Sequence, residues 1–228
     1  MPTIVQTVFI LDDDVSFCRA LERLLRVLGY RVQAFQSAFE FFAQWSPDVA
    51  GCLLLDLRMP DLNGLEVQRR LAGLEPELPI ILVSGEADVP SCVSAMRGGA
   101  ADILLKPFQE EELVAALTRA LARDHRRRQE QAEQIDLRTR LATLTPRELG
   151  VFRLVAKGIL NKQIAAVLGT KEGTVKMHRG HVMRKLGLGS VAELVNFADR
   201  LKLDDPCPGM HALAGRFRSE PATTAAEA

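Results

Sequence analysis

Four continuous apolar runs, Val8-Phe9-Ile10-Leu11, Cys52-Leu53-Leu54-Leu55, Ile80-Ile81-Leu82-Val83 and Ile103-Leu104-Leu105, recur through the first half of the chain with amphipathic stretches between them. A run without polar alternation suits a strand covered on both faces, the situation in a parallel sheet flanked by helices. Arg31-Val32-Gln33-Ala34-Phe35 alternates instead and belongs at a sheet edge. Stretches 15–28, 38–45, 65–74, 89–96 and 111–121 read as helices. The expectation is an α/β domain over residues 1–121, with five β-α units forming a five-stranded, doubly wound parallel sheet.

The second half follows a different pattern. No Gly or Pro occurs from Gln109 to Thr145, so the fifth helix is free to run on as a connector. Residues 122–142 are mostly polar, and Ile135, Leu137 and Leu141 are too sparse for a coiled coil, so a solvated helical linker is expected. Arg126-Arg127-Arg128 reads as a solvated charge run. Thr145-Pro146-Arg147-Glu148 is a capping box with Pro at the first helical position. Asn161 is placed as the cap of a second helix, which ends at Gly169. A third helix is expected over 172–186, and Ser190-Val191-Ala192-Glu193 opens a fourth. Residues 143–203 therefore form an all-α four-helix domain, and residues 204–228, with three Pro and no periodicity, a flexible tail.

Charge divides the same way. The net charge is zero, yet residues 1–121 hold 10 basic and 17 acidic side chains while residues 142–203 hold 11 and 4. An acidic domain joined to a basic one points to different partners, the basic one facing a polyanion. No stretch reaches the roughly 18 apolar residues of a membrane span, and no signal peptide is visible, so a cytoplasmic protein without membrane contact is expected. Cys18, Cys52, Cys92 and Cys207 are scattered, which argues against a disulfide framework or a zinc site. His178 and His181 lie three apart without a third ligand nearby in sequence, so no metal is expected there.

Asp12-Asp13-Asp14 follows the first apolar run, Asp56 ends the third, and Ser84 and Lys106 follow the next two. Strand ends of an open parallel sheet line its ligand crevice, so these groups converge there. Crowded carboxylates repel unless a cation sits among them, and oxygen ligands with open positions suit Mg²⁺. The order and spacing of Asp12/Asp13, Asp56-Leu57-Arg58-Met59-Pro60, Ser84-Gly85 and Lys106-Pro107-Phe108 resemble the receiver domain of two-component response regulators, a flavodoxin-like fold. The resemblance implies that Asp56 accepts a phosphoryl group from a sensor histidine kinase. It also implies that Asp12, Asp13, Asp56 and the Arg58 backbone carbonyl hold Mg²⁺, and that Ser84 and Lys106 hold phosphoryl oxygens. One departure is Ile103, which stands where receivers commonly carry an aromatic ring. An aspartate-dependent phosphatase is disfavoured, since such enzymes want an Asp where Arg58 stands.

Leu144-Thr145-Pro146-Arg147-Glu148, Asn161-Lys162-Gln163-Ile164-Ala165 and Thr174-Val175-Lys176-Met177-His178-Arg179 resemble the LuxR-type helix-turn-helix domain, closest to FixJ-like regulators of the NarL/FixJ family. Helical spacing turns Val175, His178, Val182 and Leu186 inward and leaves Lys176, Arg179, Gly180 and Met183 on an exposed edge. Thr174, Lys176, Arg179 and Met183 are the expected groove contacts, and Lys162, Lys171, Arg184 and Lys185 the expected phosphate contacts on double-stranded DNA. The whole reads as a phosphorylation-activated transcriptional regulator, not an enzyme beyond its own phosphoryl chemistry, forming a homodimer when phosphorylated and working with RNA polymerase. The competing reading is a phosphorylation-independent DNA binder whose receiver is only an interaction module.

Overall fold

The computed structural model describes residues 6–60, 62–74, 77–85 and 89–201. The chain forms two compact units that divide between Glu133 and Gln134. The first contains β1 (Thr7–Leu11), α1 (Val15–Val27), β2 (Arg31–Phe35), α2 (Ala38–Gln44), β3 (Gly51–Asp56), α3 (Gly64–Leu71), β4 (Ile80–Ser84), α4 (Val89–Arg97), β5 (Asp102–Leu105) and the opening turns of α5 (Glu110–Ala142). All strand pairs are parallel, in the order β2-β1-β3-β4-β5.

Strand alternation assigns the two faces. Val8, Ile10, Cys52, Leu54, Ile81 and Val83 pack with Cys18, Leu21 and Leu25 of α1 and with Leu113, Ala116 and Leu117 of α5. Phe9, Leu11, Leu53, Leu55, Ile80 and Leu82 meet Phe41 of α2, Val67 and Leu71 of α3, and Ala95 of α4. Trp45 stacks on Phe41 at the rim. The alternating β2 takes one edge as expected. The run in β5 does not behave as a strand covered on both faces: it is the other edge, and Leu105 is 45% exposed.

The opening of the linker is not wholly solvated either. Asp124 is buried, accepting from the Gly51 N–H at 2.9 Å and from Arg128 at 2.8 Å, and Arg128 also donates to the carbonyls of Pro47, Asp48 and Val49. Arg127 pairs with Glu77, leaving Arg126 exposed. Arg128 and its loop partners lie about 80 residues apart in sequence, so no local pattern announces them.

The second unit packs α6 (Pro146–Ala156), α7 (Asn161–Leu168), α8 (Glu172–Leu186) and α9 (Val191–Arg200) around Phe152, Val155, Ile164, Val175, Val182, Leu194 and Phe197, joined by Leu137 from α5. Leu137 is 2% exposed, a second departure from a solvated linker. The Thr145 capping box forms as expected, with Glu148 N–H donating to Thr145 Oγ1 and Thr145 N–H to Glu148 Oε2. Asn161 is not the cap of α7. That place is Leu160, whose side chain accepts nothing; Gln163 reaches back to the Leu160 N–H instead. Ser190 caps α9, and Glu193 takes the Gly189 N–H one residue further back. The expected tail, 204–228, and Cys207 lie outside the described residues.

Candidate functional site

The sheet order reverses direction between β1 and β3, and a crevice opens at their carboxyl ends. Asp12, Asp13, Asp14, Asp56, Arg58, Ser84, Gly85 and Lys106 line it. The sequence assigns all of these residues, Asp14 included, to the site or its border. Asp14 serves the helix instead, since its Oδ1 accepts from the Ser16 and Phe17 N–H groups and caps α1.

Asp12 and Asp56 are both buried, and Lys106 spans them, its Nζ 2.6 Å from Asp12 Oδ2 and 2.9 Å from Asp56 Oδ1. Asp56 Oδ2 also accepts from the Arg58 N–H at 2.6 Å. Burial pushes the Asp56 carboxyl above the usual carboxylate range, against the opposing pull of Lys106 and of that N–H. Burial works on Lys106 in the other direction, but its bonds to Asp12 and Asp56 prevail and hold the ammonium charged. Ser84, 3% exposed, ends β4 and fixes Lys106 through its own carbonyl, which accepts the Lys106 N–H at 2.7 Å. Asp13 is exposed at the mouth. The four carboxylates of the crevice outnumber its two cations, Lys106 and Arg58, and leave residual negative charge among oxygen ligands, which fits a hard divalent cation.

Two supports were not visible in the sequence. The Phe17 ring lies under Lys106, with Nζ 3.9 Å from its centroid, and Phe108 meets that ring edge to face. Gly64 starts α3 against the Asp56 backbone, where a Cβ would come within 2.5 Å of the Asp56 carbonyl oxygen. Phe17 sits on the helix after the acidic cluster with nothing in its neighbours to mark it. Ile103 is half-buried in the core, as an aliphatic residue. Sequence spacing also sets Glu86, two residues beyond Ser84, opposite Arg58, two beyond Asp56, and Glu86 lies outside the described residues.

In the second unit, Val175, Val182 and Leu186 are fully buried and His178 is half-buried, as helical spacing predicts. Lys162, Lys171, Lys176 and Arg184 are exposed, and Thr174 and Arg179 are half-exposed, with Arg179 donating to Asn161 Oδ1 at 3.4 Å. Two expected contacts, half-buried Met183 and exposed Lys185, also engage the fold. Met183 packs on the core beside Leu186. The Lys185 ammonium turns inward to Glu148 Oε2 at 2.6 Å and the Thr143 carbonyl at 3.2 Å. A single-helix wheel cannot show that a buried carboxylate on α6 claims this lysine. The bond to Lys185, with the Thr145 N–H second, lowers the Glu148 carboxyl to about 2.

The parallel α/β unit with its carboxylate crevice, followed by a capped helix-turn-helix bundle, defines a receiver joined to a DNA-binding module. The family description "Response regulator receiver domain" matches residues 8–118, and "Bacterial regulatory proteins, luxR family" matches residues 142–198. The chain is similar to Nodulation protein W of Bradyrhizobium diazoefficiens, with 46% identity over 85% of this chain and 86% of the relative. It is also similar to the transcriptional regulatory protein FixJ of Rhizobium meliloti, with 39% identity over 84% and 94%. The solved structure of the response regulator StyR superposes with a TM-score of 0.79 at 40% identity, covering 86% of this chain and 98% of that one. The chain belongs to the NarL/FixJ family of two-component transcriptional response regulators.

Proposed function

We propose that the protein accepts a phosphoryl group on Asp56 from a phosphohistidine of a sensor histidine kinase in the cytoplasm, and that this controls binding to double-stranded DNA. The observation that carries the reading is Lys106 bridging Asp12 and Asp56 inside the crevice. An Asp56 carboxylate oxygen attacks phosphorus, the P–N bond breaks, and the imidazole leaves with its electron pair. Lys106 moves from its Asp56 oxygen to a phosphoryl oxygen, and the Ser84 hydroxyl donates to another. Asp12, Asp13, Asp56 and the Arg58 carbonyl would hold Mg²⁺, which supplies neutralisation of the charge that gathers on the phosphoryl oxygens. Residues 1–121 act as receiver, 122–142 as linker, 143–203 as output domain and 204–228 as tail.

On DNA, Thr174, Lys176, Arg179 and Met183 face the major groove, and Lys162, Lys171, Arg184 and Lys185 face phosphates, Lys185 from an ammonium that Glu148 also holds. Val93 and Met96 of α4 and Leu105 of β5, all more than 40% exposed, offer apolar area for a phosphorylation-dependent homodimer, with RNA polymerase as further partner. The test is mass spectrometry of the full chain after incubation with a small phosphodonor and Mg²⁺, paired with DNA titration. A gain of one phosphoryl group that Asp56→Asn abolishes, together with tighter DNA binding, supports the reading; Asp13→Ala keeps the nucleophile but loses Mg²⁺ dependence. Normal labelling of Asp56→Asn overturns the site, and equal DNA affinity with and without phosphoryl favours the phosphorylation-independent binder.

A further inference from the structure

The histidine pair on α8 that lacks a third ligand in sequence gains one in the fold. Glu148, at the start of α6, lies against it, and one ligand atom each from Glu148, His178 and His181 fall within 4.8 Å of one another. Three features of the cluster point the same way. Glu148 Oε2 is saturated by the Thr145 N–H at 2.8 Å, the Thr145 hydroxyl at 3.0 Å and Lys185 at 2.6 Å, so the carboxylate is fixed with Oε1 turned to His181 Nδ1, 3.6 Å away. His178 Nδ1 is fully buried and takes no hydrogen bond, an arrangement that ordinarily costs free energy until a partner arrives. His181 is 41% exposed, giving the cluster a path to solvent and a ring free to turn.

We infer that Glu148, His178 and His181 form a binding site for a borderline divalent transition-metal ion of the Zn²⁺ class. Two imidazoles and one carboxylate oxygen are the ligand types such ions take, whereas Mg²⁺ and Ca²⁺ prefer oxygen throughout. Tetrahedral coordination with bonds of about 2.0–2.1 Å needs ligand atoms about 3.3 Å apart, so separations of up to 4.8 Å must close by up to about 1.5 Å, through movement of both imidazole rings toward the fixed carboxylate. Lys185 and Thr145 orient the carboxylate from behind, as outer partners of metal ligands do. The fourth position is left to water. An ion held there ties α8 to α6 on both sides of Arg179, so occupancy stiffens the helix that carries the groove contacts.

The test uses the full chain in millimolar Mg²⁺, which occupies the receiver carboxylates, titrated with Co²⁺ as a visible probe of the Zn²⁺ class and then with Zn²⁺ in competition. The expected result is one equivalent giving ligand-field bands without thiolate charge transfer, retained in Asp13→Asn and weakened at least about tenfold in His181→Ala. Circular dichroism of metal-free His181→Ala verifies the fold, and His178→Gln gives a second loss. Bands of equal strength in His181→Ala and wild type overturn the site, as does loss of the bands in Asp13→Asn or their complete absence.

Discussion

At Lys106 one ammonium answers two buried carboxylates while resting on an aromatic face, and the ring is what keeps it from swinging outward. Phe17→Leu keeps most of the volume but removes that face, a loss of about 1 kcal/mol of cation–π attraction. Phosphoryl uptake from a small donor is expected to slow by about fivefold with the fold intact, and Phe17→Tyr to restore it. In the second unit, Glu148 carries the comparable charge. Its carboxyl is ordinary at 4.5 when unfolded and about 2 when folded, so its contribution to stability is complete above pH 4.5 and disappears as pH falls toward 2. Acid unfolding followed with chelator present should show this window for the helical unit. Glu148→Gln should lose the window and lower the stability of the helical unit at pH 7 by about 1 kcal/mol, because exposed Lys185 keeps only neutral acceptors such as the Thr143 carbonyl.

Helix α8 begins badly and is completed by what it meets. Lys171 occupies the cap position with no side-chain hydrogen bond, and it places a cation at the positive end of the helix dipole. Gly173 follows in the first turn, where an added Cβ would meet nothing within 4 Å. Gly173→Ala should therefore stabilise the free protein by about 0.5–1 kcal/mol, read as a higher melting temperature of the helical unit. Lys171→Ser should also stabilise it, by about 0.5–2 kcal/mol, yet weaken DNA binding across all sequences and lower the salt slope by about one charge. A mutant with an unchanged slope would show that Lys171 touches no phosphate. The bounds of α8 were legible because Gly169 before it and the inward stripe ending at Leu186 agree, and Gly187 in the left-handed conformation closes the helix there. The start of α7 was not, because Asn161 has the chemistry of a cap but lies one residue inside the helix and serves Arg179 instead.

Across the whole chain, what could be read from sequence is what repeats locally. The apolar runs of β1, β3 and β4 and the polar groups Asp12, Asp56 and Ser84 at their ends place the crevice, because burial on two faces and strand-end position both leave a mark in neighbouring residues. Phe17 under Lys106, Glu148 between α6 and α8, and Asp124 against the start of β3 leave no such mark, since each partner comes from a distant segment. Asp124 shows the effect most plainly. Replacing it with Ala removes the acceptor of the Gly51 N–H and strands Arg128, an expected loss of about 3 kcal/mol, measurable by urea unfolding. The same clasp dictates where the chain tolerates cutting. A fragment ending at residue 121 forfeits Asp124 and Arg128 and leaves the Gly51 N–H and three loop carbonyls to find water, whereas one ending at 133 keeps all of them. Limited proteolysis should accordingly spare the helix through Arg128, and the excised receiver that survives dialysis should be the longer one.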